Sequence, residues 1–349
     1  MLEVVSPGAL LTLQDRGRPG LAHLGVPPSG PADPWSYEVA ILLADGRPDG
    51  AGDASSAAVS AVRPVNGSGP VALEVTLGGT RLRAIETCAV ALSGGDLGAE
   101  LDDGTRLAPG RVHRVAAGAE IGFAGGTGMR AYLGLPGGID ARLVLGSAST
   151  CVAAALGGID GRPLRAGDVI APVRRGHLDA VGRTWPAALA PHPARSVDPI
   201  AFVPGPDLRH LHGRAVEAFR ARSWRVADAC DRMGIRLEPH DGVEALAPGR
   251  EILSHPMLPG AIQVPADGRP VILFVDGPTI GGYPVIGVVP RWEWPRLGQL
   301  RPGYGVRFAA QDAGSARAAW DRQRAALAAG TARAGADLVW ERLADGAGW

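Results

Sequence analysis

The sequence predicts a mainly β protein with a few short helices and one helix at its C-terminal end. Three observations carry this. Glycine (51) and proline (30) make up nearly a quarter of the 349 residues, about twice the usual share. Between them the apolar residues fall in short runs, several alternating with polar ones, as half-buried strands require. Hydrophobic residues reach 46%, enough for the cores of more than one domain.

The four prolines of residues 182–199 mark a boundary. The division is an N-terminal β-barrel domain over 1–190 with a flexible insertion at 46–70, a second β-barrel domain over 191–311, and a C-terminal helix and tail over 312–349. Leu10–Gly20 reads as a strand broken by glycine and proline. Asp33-Pro34 opens a helix, the aspartate as cap and the proline in the first turn. Trp35, Val39, Leu42 and Leu43 then form its buried face.

Leu73, Val75 and Leu77 alternate with Glu74 and Thr76 as a strand, and further strands are predicted at 88–92, 119–123 and 129–135. Ser93, before two glycines, reads as a turn, and Gly125–Gly128 as a hairpin. Gly137–Asp140 and Gly157–Asp160 repeat the tetrapeptide Gly-Gly-Ile-Asp. Between them, Ser147–Thr150 caps a short helix over 152–156, with Gly157 as its stop. The second half begins with Ile200–Val203 and a helix near 208–222. Strands are predicted at 262–264, 271–275, 285–289 and 305–308, with a hairpin turn at 266–269. An alanine-rich helix over about 312–329 puts Trp320 and Leu327 on one side, and the last twenty residues read as a loosely held tail.

The formal net charge is zero, which gives no basic face for nucleic acid. No apolar run is long enough to span a membrane. The first residues lack a signal core, and three scattered cysteines suit a reducing cytoplasm. Cys88, Cys151 and Cys230 read as small buried residues, with a catalytic role as the alternative. All 35 basic residues are arginine. Covalent biotin, a pyridoxal-phosphate Schiff base and a P-loop lysine are therefore impossible on this chain. His210-Leu211-His212 separates its imidazoles on either a strand or a helix, so no metal site is predicted. No nucleophile elbow and no dinucleotide-binding glycine loop occurs.

Three constellations bear chemistry. Hydroxyls and free N–H groups at Ser147, Ser149 and Thr150 could hold an anion or an oxyanion, or merely cap the helix. Arg232 and Arg236 would project to one side of a strand. They could bind a carboxylate with paired hydrogen bonds, or form a structural network with Asp231. The loop Asp276–Pro284, with Gly281 and Gly282, lets a ligand approach the backbone closely, or is a plain turn.

With these residues the sequence resembles the allophanate hydrolase subunit 2 family, also called the KipA family, which includes the C subunit of 5-oxoprolinase. The resemblance runs from Val4 to about Phe308. It rests on Ser6-Pro7-Gly8, Gln14–Gly20, Gly30–Pro34, Gly137–Asp140, Leu145–Thr150, Asp231–Gly234, Ile262–Pro265, Gly281–Pro284 and Gln299–Gly303. It implies two tandem cyclophilin-like β-barrels and a KipI-like partner subunit. The activity implied is ATP-dependent opening of 5-oxo-L-proline to L-glutamate, with a LamB/YcsF-like subunit as well. ATP would sit in a site completed by partners. Two alternatives stay open: the carboxyltransferase subunit of a biotin-dependent urea or amide carboxylase, and a KipA-like regulator that binds a kinase inhibitor without catalysis.

The expected catalytic residues are Ser147, Ser149, Thr150, Thr279 and Tyr283. The expected substrate-binding residues are Arg232, Arg236, Gln263, Asp276, Gly281 and Gly282. Arg232, Arg236, Gln263, Thr279 and Tyr283 are expected to face one pocket with the Ser147–Thr150 helix start and to polarise the oxygen of a cyclic N–C(=O) group. The sequence departs from the family pattern at Ala148, where arginine is common, at Pro278-Thr279-Ile280 (often Gln-Thr-Thr), at Val285 (lysine), and at Ile41 and Gly46 (asparagine).

Overall fold

The computed structural model describes residues 1–45, 69–189, 198–211, 214–240, 246 and 252–345. The predicted insertion lies outside these, apart from its last two residues. The chain divides into two units. The first comprises Met1–Gly17, Asp33–Pro191 and Gln323–Trp349; the second comprises Arg18–Ala32 and His192–Arg322. The sequence-based division differs in two places. Residues 18–32 join the second unit, and the C-terminal segment is shared instead of standing alone.

Among the described residues ten strands build the first unit: β1 (Leu2–Pro7), β2 (Leu10–Gln14), β3 (Ala72–Thr76), β4 (Thr80–Ala84), β5 (Cys88–Gly94), β6 (Ala99–Leu101), β7 (Arg111–Val115), β8 (Glu120–Phe123), β9 (Arg130–Gly134) and β10 (Val169–Ile170). They form two five-stranded sheets, ordered β10-β1-β4-β8-β6 and β2-β3-β9-β5-β7, antiparallel throughout. Side chains alternate across a strand, so one face of each sheet feeds a shared core. Leu2, Val4, Leu82, Ile121 and Phe123 meet Leu11, Leu13, Leu73, Val75, Val90 and Leu133 there.

The outer face of the second sheet is also buried, which explains why all of β3 is inaccessible. Helix α1 (Pro34–Asp45) covers it. The face presents small residues, Ala72, Ala89, Ala91 and Gly134. A Cβ on Gly134 would stand 2.4 Å from the Ala40 carbonyl oxygen. The predicted cap is present: Asp33 accepts from Ser36 N at 3.0 Å and from Ser36 Oγ at 2.6 Å. Beneath the helix, Tyr132 donates to Glu74 at 2.6 Å and accepts from Asp33 N at 2.8 Å. Burial, with Glu74 adding to it, pushes the Tyr132 phenol well up from its ordinary pKa, so it stays a donor.

Ten more strands among the described residues build the second unit: β11 (Ile200–Pro204), β12 (Trp224–Val226), β13 (Gly234–Pro239), β14 (His255–Pro256), β15 (Ala261–Gln263), β16 (Val271–Leu273), β17 (Ile280–Gly281), β18 (Val285–Val288), β19 (Gly305–Val306) and β20 (Phe308–Ala310). Eight form a nearly closed barrel sheet, ordered β19-β12-β13-β16-β15-β18-β11-β20. Only the β11–β20 pair in it is parallel. Strands β14 and β17 form a separate two-stranded ribbon. Helix α2 (Ala215–Ala221) is shorter than the predicted 208–222 and is preceded by a single 3-10 turn at Leu208–His210. Helix α3 (Trp294–Gly298) follows β18. Inside the barrel, Phe219 packs on Phe308, Phe202 and Trp224 with ring centroids 4.6, 5.3 and 5.4 Å away.

Four sequence expectations change. Residues 152–156 are not a helix but a turn closed by a Cys151–Leu156 bridge, because the capping hydroxyls are spent elsewhere and exposed Val152 has nothing to bury against. Gly125–Gly128 is no hairpin. It links β8 in one sheet to β9 in the other, and its glycines lie against the backbone of Gly95 and Asp96. Ser93 belongs to β5, paired with Tyr132. Helix α4 (Ala313–Asp345) extends well into the expected tail, as alanine-rich sequence favours.

Replacing Phe219 with alanine should open a cavity among three other rings. The expected loss is about 3–5 kcal/mol of unfolding free energy, read from denaturant midpoints of the isolated chain; a loss below about 1 kcal/mol would contradict this packing.

Candidate functional site

Ser147, Ser149 and Thr150 lie in the first unit, and the other expected site residues lie in the second. In the first unit the organising group is a carboxylate that sequence reading left without a role. Asp15 is fully buried. Its Oδ1 accepts from Ser147 Oγ at 2.5 Å, Ser149 Oγ at 2.6 Å and Gly17 N at 2.8 Å. Its Oδ2 accepts from Ala148 N at 2.7 Å. Thr150 Oγ1 donates to the Leu13 carbonyl at 3.1 Å. Two of the hydroxyls expected to meet an external anion, with one N–H group, therefore meet an internal one. Burying a carboxylate is costly unless donors surround it, and this loop supplies them. Ala148, standing where the family pattern has arginine, is fully buried.

In the second unit a second buried carboxylate engages Arg232. Asp276 accepts from Arg232 Nε at 2.8 Å and Nη2 at 3.2 Å, and the same Nη2 donates to the Gly30 carbonyl at 2.7 Å. Arg232 is 4% exposed and Asp276 3%. Asp231 does not pair with it. Its Oδ1 instead accepts from the N–H groups of Met233 and Gly234 and shapes the turn into β13. Arg232 precedes the strand, whereas Arg236 lies within it and is exposed. The two guanidiniums do not converge. Of the two readings left open by sequence, Arg232 follows the structural one, with Asp276 as its partner.

Arg236 and Gln263 lie on the outer face of the barrel. Ile235, Leu237, Ile262 and Ile272 point into the core, so their neighbours point out. The register sets Arg236 opposite Val271, Val271 opposite Gln263, and Gln263 opposite Val285. This makes one row across four strands. Among the described residues the Arg236 guanidinium has no hydrogen bond or ion pair.

The β14–β17 ribbon lies over the Gln263 end of the row. A Cβ on Gly281 would stand 2.5 Å from Gln263 Nε2 and 3.2 Å from Met257 Cε. Gly282 similarly abuts the Ile252 carbonyl, 3.1 Å from its would-be Cβ. The paired glycines thus allow close packing of the ribbon on itself and on Gln263. Gln263 Nε2 contacts Met257 Sδ at 3.6 Å. Thr279 and Tyr283 flank the ribbon strand, their hydroxyls without partners among the described residues. The arrangement offers an exposed guanidinium and two hydroxyls, while the Gln263 amide is buried beneath the ribbon beside Leu273 and Val285. Such a surface can bind a small polar molecule that carries a carboxylate and an amide.

Among the described residues no group of three or more His, Cys, Asp or Glu suits a metal ion, and no helix is long and apolar enough to cross a membrane. His212 lies outside the described residues. Burial pushes the Cys88 thiol up from its ordinary pKa, which makes it a poor nucleophile. Cys151 is buried, and half-buried Cys230 accepts from Arg236 N at 3.2 Å.

The two arginines should separate in mutation. Arg232→Met leaves Asp276 buried without its partner and should cost about 3–5 kcal/mol. Arg236→Met should change stability by no more than about 0.5 kcal/mol. Urea unfolding of both variants checks this, and equal losses would contradict the assignment. Ser149→Ala should cost about 1–3 kcal/mol by removing a donor from Asp15.

The sequence profile of the carboxyltransferase domain, subdomain A and B, matches residues 47–310. The chain is 30% identical over 325 residues to the C subunit of 5-oxoprolinase from Escherichia coli, covering 93% of this chain and 96% of that protein. It is also 30% identical to urea amidolyase of Saccharomyces cerevisiae, over 93% of this chain but only 17% of that much longer protein. Among solved structures, the Kluyveromyces lactis urea amidolyase superimposes with a TM-score of 0.78 at 30% identity, over 93% of this chain and 20% of that one. Profile, end-to-end identity and superposition agree: the chain belongs to the carboxyltransferase domain family, subdomain A and B.

Proposed function

We propose that this chain is the C-type subunit of an ATP-dependent 5-oxoprolinase, working with a KipI-like and a LamB/YcsF-like subunit in the cytoplasm. The observation that carries this is the end-to-end match. It covers nearly all of both this chain and the 5-oxoprolinase subunit, whereas the urea amidolyase match uses a small part of a multidomain protein. The favourable superposition on a urea amidolyase supports a second reading, carboxyl transfer between biotin on another chain and an amide. Both reactions act on a cyclic N–C(=O) group, which donors around its oxygen would polarise.

In this reading the outer row of the second unit is the substrate surface. Arg236 takes the carboxylate of 5-oxoproline, since a planar guanidinium can make two charge-assisted bonds to it. Thr279 and Tyr283 address the lactam, and Gln263 and the apolar cluster support them from beneath the ribbon. Ser147, Ser149 and Thr150 support the first unit through Asp15 and Leu13 instead of touching substrate. Lactam opening needs ATP to activate the amide oxygen. With no lysine in the chain, the phosphate site is assigned to the partners, and this subunit alone should be inactive.

Co-expression with its KipI-like and LamB/YcsF-like neighbours should give a stable hetero-oligomer by size exclusion. The complex should release glutamate from 5-oxoproline only with ATP. Arg236→Met should preserve assembly and cost about 2–4 kcal/mol in kcat/KM. Turnover of a biotin-dependent carboxylation instead would favour the second reading. Partner binding with no turnover of either kind, together with titration of a kinase inhibitor, would leave a regulatory protein.

A further inference from the structure

The ribbon over the Gln263–Arg236 row has little to hold it. Its strands pair only through His255–Gly281 and Pro256–Ile280. Two more bonds extend it, from Ile252 N to the Gly282 carbonyl at 2.9 Å and from Met257 N to the Thr279 carbonyl at 2.8 Å. A two-stranded ribbon is marginal in water by itself. Its apolar side chains mostly face solvent: Leu253 is 93% exposed, and Leu258 and Ile280 are exposed as well. Only Met257 is buried, against Ala261, Leu273 and Val285. Apolar burial therefore anchors one point and leaves the two arms to swing.

A single oxygen ties the first arm to the barrel strand into which the second arm leads. Asp207 Oδ2 accepts from His255 Nε2 at 3.1 Å and from Val285 N at 3.0 Å. His255 belongs to the first ribbon strand. Val285 stands where the chain leaves the second and enters β18, at the point where the β15–β18 register slips. Its N–H is thereby given to the carboxylate. Asp207 itself is held in the short turn after β11, where its carbonyl accepts from His210 N at 2.9 Å. It comes from a segment of the chain remote in sequence from both arms, on the frame of the barrel rather than on the ribbon.

We infer that Asp207 is the positioning residue of the ribbon, with His255 as its handle, and that this latch sets where Thr279, Gly281 and Tyr283 stand over Gln263. The role rests on reading that row as the substrate surface. The latch itself is independent of which reaction the row serves. A latch on one oxygen tolerates an amide in its place, because the oxygen of asparagine can accept the same two bonds. It does not tolerate alanine.

The test compares Asp207→Asn, Asp207→Ala and His255→Ala by amide hydrogen exchange in the isolated chain, and by steady-state kinetics in the reconstituted complex. Alanine at either position should raise exchange at Ile252 and Met257 at least tenfold. The barrel amides of Ile262 and Ile272 should stay protected. Asparagine should keep wild-type exchange. In the complex the alanine variants should lower kcat for 5-oxoproline at least tenfold, with assembly unchanged, and asparagine should restore most of it. His255→Ala keeps the Val285 bond and carries the comparison if Asp207→Ala does not fold. Unchanged ribbon exchange in the alanine variants overturns the latch. A loosened ribbon with wild-type kcat and KM overturns its positioning role. A wild-type complex that turns over no 5-oxoproline defeats the functional reading, and the exchange ratio alone then decides the latch.

Discussion

Two buried carboxylates, Asp15 and Asp276, decide what the polar residues around them can do. A carboxylate withdrawn from water must recover its hydration from donors in the protein. Asp15 takes two serine hydroxyls and two backbone N–H groups; Asp276 takes the Arg232 guanidinium. Both clusters draw on segments far apart in sequence, and each cements a loop that strands alone would leave loose. Side chains with obvious chemical potential are consumed in the process. Arg236 is not consumed in this way: its guanidinium is exposed on the outer face of the second unit.

The two units cover their sheets differently. In the first, α1 lies on a face stripped to alanine and glycine, with Trp35, Val39 and Leu43 packed in and a Glu74–Tyr132–Asp33 chain beneath. That face is closed by bulk apolar contact. In the second, the corresponding work on the outer face falls to a ribbon of a few residues with one buried methionine. Polar bonds hold it, so it can stand over a surface without filling it. A face capped in this way keeps the Arg236 guanidinium accessible, with the Gln263 amide buried under the ribbon. The first unit keeps none on its helix-covered face.

Local patterns made the strands and α1 legible. The Asp33 cap, the alternation around Leu73–Thr76 and the hairpin at 266–269 all arise within a few residues, and their sequence signals survive folding. The loop at 147–156 looked like a capped helix for the same local reasons. It failed because its caps answer to Asp15, more than a hundred residues earlier in the chain. The hairpin expected at Gly125–Gly128 failed likewise: the glycines accommodate a crossing between sheets, which no local pattern reveals.

By itself the sequence determined the β-rich class, the positions of most strands, the absence of lysine chemistry and the residues from which a site could be drawn. Their periodicity and composition are properties of neighbours along the chain. Only the tertiary structure decided which of those residues are spent. Arg232 and Arg236 sit four positions apart with the same side chain, yet one is buried against Asp276 and the other stands open opposite Val271. Asp207, His255 and Asp15 carried no sequence signal of their roles, because their partners lie tens of residues or more away. Burial and strand register make that selection, and both belong to the folded chain.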